Sequence, residues 1–226
     1  MNTPPFGKLF LIASPIGNLQ DITFRALETL KNISLLLCED TRHTKKLLDF
    51  YNISVPCSSF HGHSSFQKRD EIIQKLLEGK NIGLISDAGT PGISDPGYFL
   101  TSECKKHNIP LVPIPGPSAF LTALQGSGAP IHHFSYYGFL PIKKGRKTLL
   151  HSFKEEKKTI VFYESVHRIQ KTLQELTEIL GKERNIIIAR ELTKMYEEFF
   201  SGTLEEASLH FSSPKGEFVC ILPSEG

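Results

Sequence analysis

Apolar runs of strand length alternate with amphipathic helical stretches through the first half of this chain, and this alternation restricts the fold more than any other feature. Lys8–Ala13, Ser34–Cys38, Ile82–Ile85 and Leu111–Ile114 are too short for helices and read as buried strands. Between them, Phe24, Leu27 and Leu30 recur at helical spacing, Leu47, Leu48 and Tyr51 continue a second helix, and Ile72, Ile73, Leu76 and Leu77 share one face of a third over Arg69–Glu78. Gly79 stops that third helix, and Asp95 with Pro96 reads as the start of a fourth. Strand–helix alternation implies a mostly parallel sheet with helices on both faces.

The second half is mixed. Phe134–Phe139, Thr159–Tyr163 and Ile186–Ala189 read as strands, Val166–Leu180 as a helix, and Glu197–Ser201 and Glu217–Leu222 as closing, possibly antiparallel, strands. Ile109–Ser118 carries four prolines, which suits a connector better than a central strand. The expected domains are therefore 1–115, an N-terminal α/β domain, and 118–226, a C-terminal α/β domain with a mixed sheet.

Composition excludes several classes. With 226 residues, 39% hydrophobic and 22% charged, the chain can bury a sizeable core and is neither disordered nor fibrous. A net charge of +2 is low for a modular nucleic-acid binder but leaves room for an enzyme that touches RNA locally. Cys38, Cys57, Cys104 and Cys220 form no CxxC pair, and His61-Gly62-His63 lacks further ligands, so no metal site is expected. Free thiols and the short apolar run at Leu9–Ala13 fit a cytoplasmic protein without a membrane span.

Five polar constellations bear chemistry. The turn Ser14–Asp21 follows the first strand, where open α/β sheets bind ligands; the plain alternative is a connecting turn with Asp21 as N-cap. Ser86–Gly97 packs three glycines, two prolines and two aspartates into a loop longer than most strand-to-helix connections. There Asp87 can accept hydrogen bonds from a ribose or an amino group. Glu39-Asp40-Thr41-Arg42-His43 sets acids, an arginine and a histidine at a strand end, either for proton handling or as an ordinary helix start. Ala189–Lys194 is a similar set that either fixes a polar substrate or forms structural ion pairs. Finally, Phe134, Tyr136, Tyr137 and Phe139 precede Lys143, Lys144, Arg146, Lys147, Lys154, Lys157 and Lys158, opposed only by Glu155 and Glu156. Aromatic residues beside cations suit single-stranded RNA, whereas a core strand followed by a solvated helix is the plain alternative.

Eight segments occur in order: SPIGNLQD (Ser14–Asp21), CEDTRHT (Cys38–Thr44), SDAGTPGISDPG (Ser86–Gly97), PGPSA (Pro115–Ala119), GFLP (Gly138–Pro141), FYESVHR (Phe162–Arg168), ARELTK (Ala189–Lys194) and KGEF (Lys215–Phe218). In these the chain resembles the small-subunit ribosomal RNA methyltransferase I family of the tetrapyrrole methylase superfamily, from about Gly7 to Leu222. The resemblance implies a two-domain α/β fold with S-adenosyl-L-methionine in a cleft between the domains. It also implies a homodimer, and a 2′-O-methylated cytidine in the decoding region of 16S rRNA within the small ribosomal subunit as product. It places Pro15, Gly17, Asp87, Ala88, Thr90, Ser118, Ala119, Tyr163, Glu164, Ala189 and Gly216 at the cofactor.

Candidates for activating the 2′-hydroxyl are Asp40, His43, Glu191 and Lys194, the last only if neutral. Arg42 and Arg190 are candidate clamps, and Lys143, Lys144, Arg146 and Lys147 are candidate RNA contacts. Val166 stands where the family usually has proline. Many relatives also carry a further C-terminal helical segment that this sequence, ending at Gly226, does not show. Competing readings are a small-molecule (tetrapyrrole) methyltransferase of the same superfamily and a non-catalytic RNA-binding assembly factor.

Overall fold

The computed structural model describes residues 6–62, 64–93, 98–213 and 215–225. His63, Asp95 and Pro96, which figured in the loop and helix-start expectations, lie outside them. The chain divides into two compact units, Met1–Ser118 and Ala119–Gly226.

The first unit is a five-stranded sheet in the order β3-β2-β4-β1-β5. Its strands are β1 (Leu9–Ile12), β2 (Leu35–Cys38), β3 (Cys57–Ser59), β4 (Ile82–Ile85) and β5 (Leu111–Ile114), and every pairing is parallel. Helices α1 (Phe24–Asn32), α2 (Thr41–Phe50), α3 (Phe66–Leu77) and α4 (Tyr98–Lys106) connect them. Strand alternation divides the core into two halves. Ile12, Leu36, Cys38, Ile85 and Ile114 pack with Ala26, Leu30, Leu47 and Leu48 on one face. Leu9, Leu37, Ile82 and Leu84 pack with Ile72, Ile73, Leu76, Leu100 and Cys104 on the other. Pro113 is accommodated because β5 is an edge strand.

Local caps set the helix starts. The Ser65 hydroxyl accepts from Lys68 N at 3.2 Å, so α3 begins at Phe66, three residues before the expected start. Thr23 caps α1 by accepting from Ala26 N at 3.1 Å. Asp21 does not cap it and lies instead in a short 3-10 turn, Leu19–Asp21, capped by Asn18.

The second unit begins with α5 (Ala119–Ser127) and builds a mixed sheet in the order β6-β7-β10-β8-β9. The strands are β6 (Phe134–Phe139), β7 (Thr159–Ser165), β8 (Asn185–Arg190), β9 (Glu198–Thr203) and β10 (Glu217–Leu222). Only β6 and β7 pair in parallel; the other neighbours are antiparallel. β10 does not close an edge but lies in the middle, between β7 and β8. Helices α6 (Arg146–Ser152), α7 (Ile169–Leu180) and α8 (Leu204–His210) share a core with Ile160, Phe162, Ile186, Ile188, Phe218 and Cys220 on one face. Helix α5 packs against β7, β8 and β10, burying Phe120, Ala123 and Leu124.

At Gly83 in β4 an added Cβ would lie 2.6 Å from Ile33 Cδ1 and 3.0 Å from Leu36 Cδ1. Gly83→Val is therefore expected to cost about 1–3 kcal/mol by overpacking, read as a lowered urea midpoint at unchanged slope. An unchanged midpoint would contradict this packing.

Candidate functional site

In the first unit, the segments following β1, β4 and β5 are tied together where the strands end. Ser14 N donates to Gly89 O at 2.8 Å and Gly89 N returns a bond to Ser14 O at 3.1 Å. The Ser14 hydroxyl donates to Ser86 O at 2.9 Å, and the Thr90 hydroxyl donates to Pro117 O at 3.1 Å. Gly89 has φ of +83°, which favours glycine, and Gly92 repeats the conformation at +85°. Pro15, Gly17, Asp87, Ala88, Thr90 and Ser118 are thus parts of one interlocked group of loops. Ala88 and Gly17 are exposed, Asp87 is half-buried, and Pro15 and Ser118 are buried.

Beside this group, the Asp87 carboxylate accepts from Asp40 N at 3.1 Å, linking the ends of the neighbouring strands β2 and β4. Asp40 also caps α2, accepting from Arg42 N at 2.8 Å and from the Arg42 guanidinium at 2.8 and 3.1 Å. These bonds hold the Asp40 carboxyl at about 2, which makes it a weak proton acceptor. His43 is exposed on α2.

Glu39, named in the strand-end cluster but not among the candidates for activating the hydroxyl, stands apart from Asp40. Burial raises its pKa and the negative charge of Asp87 raises it further, against the opposing effects of an Asp87 backbone hydrogen bond and of His61. Its one signal in the sequence is position, as the first ionisable residue after β2.

In the second unit several candidate residues are held in structural networks. Tyr163 and Glu164 are adjacent on β7 and so face opposite sides of the sheet. The Tyr163 hydroxyl accepts from Phe120 N at 3.2 Å on the α5 side. Glu164 is buried on the α7 side, where its carboxylate meets Arg168 Nη2 at 2.8 Å and the Thr172 hydroxyl at 2.6 Å. Its carboxylate is taken up by this buried network. Arg146 is likewise buried, bound to Glu175 at 2.7 Å and to the Thr172 hydroxyl at 2.7 Å, so it is not available to RNA.

Lys194 donates to Glu191 at 3.0 Å and to Glu217 at 3.4 Å. Burial alone would lower its pKa, but these carboxylates more than offset that and raise it, so Lys194 stays charged and cannot accept a proton. Glu191 is lowered in turn: burial opposes the shift, while Lys194 and the Glu217 backbone N–H outweigh it. Ala189 is fully buried in the sheet, and Gly216, at φ +91°, has room for no Cβ because Glu191 Oε1 would lie 2.5 Å away. Arg190 engages Glu198 at 2.6 Å. Lys143, Lys144 and Lys147 are exposed around the Gly145 turn.

A family model described as Tetrapyrrole (Corrin/Porphyrin) Methylases matches residues 8–208. The ribosomal RNA small subunit methyltransferase I of Synechocystis sp. is 48% identical, covering 96% of this chain and 78% of that protein. The protein of the same name from Thermotoga maritima is 47% identical, covering 96% of this chain and 98% of its own length. The chain belongs to the ribosomal RNA small subunit methyltransferase I family of tetrapyrrole methylases. The fold is shared by the solved uroporphyrin-III-C-methyltransferase of Thermus thermophilus, with a TM-score of 0.67 at 17% identity over 95% of this chain and 94% of that one. It is shared also by the methyltransferase CobJ, with a TM-score of 0.73 at 17% identity over 96% of this chain and 94% of that one.

Two outcomes are expected. Because the folded pKa of Asp40 lies below its unfolded value, its contribution to stability is present above about pH 4 and is lost as pH falls towards about 2. Unfolding by urea across this window should show a steeper loss for the wild type than for Asp40→Asn. Glu164→Ala, which leaves two guanidiniums without their shared carboxylate, should cost about 3 kcal/mol; a loss below a third of that would mean water already reaches the network.

Proposed function

We propose that this protein transfers a methyl group from S-adenosyl-L-methionine to the 2′-oxygen of a cytidine ribose in 16S rRNA. The observation that carries the reading is the Ser14–Gly89 and Thr90–Pro117 interlock at the strand ends, in a chain that is 48% identical to a ribosomal RNA small subunit methyltransferase I. A solved Thermus thermophilus uroporphyrin-III C-methyltransferase of the same fold is complexed with S-adenyl homocysteine, the demethylated form of that cofactor.

The residues present suit the cofactor. Gly89 and Gly92, both at positive φ, let backbone approach a ligand closely, and the exposed Ala88 beside them adds little bulk. Asp87 is a half-buried acceptor for an amino or hydroxyl group. We assign cofactor contacts in the first unit to Pro15, Gly17, Asp87, Ala88, Thr90 and Ser118. When bound, S-adenosyl-L-methionine supplies an electrophilic methyl group.

The protein's own task is to align the ribose hydroxyl and take its proton. Glu39 is a better proton acceptor than Asp40, because its carboxyl is raised where that of Asp40 is lowered, and we assign it that role. Lys143, Lys144 and Lys147 supply charge for the RNA phosphates. The small ribosomal subunit is the substrate particle, the protein acts as a homodimer, and it works in the cytoplasm. Among the described residues no helix is long and apolar enough to cross a membrane.

Purified small subunits lacking the modification, incubated with labelled S-adenosyl-L-methionine, should gain one methyl group, mapped to a cytidine ribose. Glu39→Gln should lower kcat about a hundredfold while cofactor affinity by calorimetry stays within twofold. Methylation of a porphyrin-like molecule in place of the subunit would overturn the substrate assignment.

A further inference from the structure

Side chains along the edge strand β6 do not alternate evenly. Tyr136 pairs with Val161 and Phe139 with Tyr163, so three steps on β6 oppose two on β7. The extra residue is a β-bulge, and Gly138, at φ +59°, supplies its left-handed conformation. Strict alternation from Tyr136 would send Phe139 to the core face that Tyr137 and Leu140 occupy. The bulge turns it over, onto the opposite face beside Tyr163, with ring centroids 5.3 Å apart.

The ring arrives on a prepared surface. Tyr136 lies 5.7 Å from Tyr163 and stacks on Phe120 at 4.3 Å. Tyr163 is itself fixed by the Phe120 N–H. Phe139 nevertheless stays 54% exposed. A hydrophobic core would not be built this way, because the re-aimed ring leaves half its surface in water.

The chain immediately after Phe139 is held with unusual firmness. Leu140 O accepts from Arg168 Nη1 at 2.8 Å, and Pro141 O accepts from Arg146 Nη1 at 3.1 Å. Arg168 is anchored on Glu164 directly, and Arg146 through the Thr172 hydroxyl that donates to Glu164. Buried ion networks are often no more stabilising than apolar packing of the same volume. What this one does supply is a fixed path for the carbonyls that lead from Phe139 to the exposed Lys143 and Lys144. Lys143 is at most about 14 Å of chain beyond the ring, and Lys147 follows on the first turn of α6.

We propose that Phe139 is a stacking platform for one unpaired base of the RNA substrate, with neighbouring phosphates held by Lys143, Lys144 and Lys147 on a turn kept rigid by the Glu164 network. An exposed ring followed by cations is the combination that binds single strands, stacking being tolerant of sequence and the cations meeting the backbone. This rests on the RNA reading of the preceding section.

The test uses the intact protein and a single-stranded RNA containing a fluorescent cytidine analogue, with affinity for small subunits measured in parallel. Wild type should quench the analogue. Phe139→Ala should abolish the quench and weaken subunit binding about tenfold, while S-adenosyl-L-methionine affinity by calorimetry changes less than twofold. Phe139→Tyr should restore both, which a merely structural loss would not allow. Retained quenching and affinity in Phe139→Ala would overturn the proposal. So would a loss of cofactor binding with RNA affinity intact, which would assign the ring to the cofactor. Stacking by a wild type that transfers no methyl group would uphold the platform and sink the catalytic reading instead.

Discussion

Glu164 carries its charge where water does not reach, and much of the second unit is arranged around that fact. An ionised carboxylate taken out of water costs several kcal/mol unless its oxygens are met. Here one oxygen faces Arg168 and the other the Thr172 hydroxyl, with Arg146 bridging onward to Glu175. Those partners come from α6, α7 and the segment just before α7, so the carboxylate fixes three pieces of chain at once. The guanidiniums have donors left over, and they spend them on the Leu140 and Pro141 carbonyls. Charge buried in the core is thereby converted into position at the surface.

The first unit reaches a comparable rigidity by other means. Its loops carry few ionic anchors and are held by backbone bonds between segments that parallel strands bring side by side. Ser14 and Gly89 exchange bonds as a short extra rung beyond the ladder of β1 and β4. Asp40 and Asp87 extend the neighbouring pair, β2 and β4, in the same way through a side chain. Loops fastened at several points lose little further freedom when a ligand arrives, which is the requirement for a site that must align reactants.

How much of this the sequence disclosed follows from the range of the forces involved. The apolar runs that became β1, β2, β4 and β5 were legible because burial on both faces demands continuous hydrophobic residues. β3 was not legible: Cys57–Ser59 has no such run, and its strand conformation comes from pairing with β2. The central place of β10 was equally hidden, since periodicity shows that a strand exists and not which neighbours it takes. Arg146 was counted among surface cations because composition cannot see that Glu175, 29 residues on, would claim it. Glu39 was not singled out from its cluster because its carboxyl is raised first by burial and then by Asp87, far along the chain, and neither is visible locally. Tyr163 and Glu164 were read as one motif because the expected strand stopped at Tyr163; β7 runs on to Ser165, and its two-residue period sets them on opposite faces.

The central position of β10 also has a consequence in time. During synthesis β7 and β8 emerge well before the strand that separates them, and each has only its outer neighbour, β6 or β9, until residues 217–222 leave the ribosome. The first unit, by contrast, has all its strands by Ile114 and can complete its sheet while the second is still being made. The nascent chain therefore carries a folded unit ahead of an open sheet with an empty central slot. Until β10 fills it, the two strands bordering the slot are exposed to mispairing, with each other or with another chain.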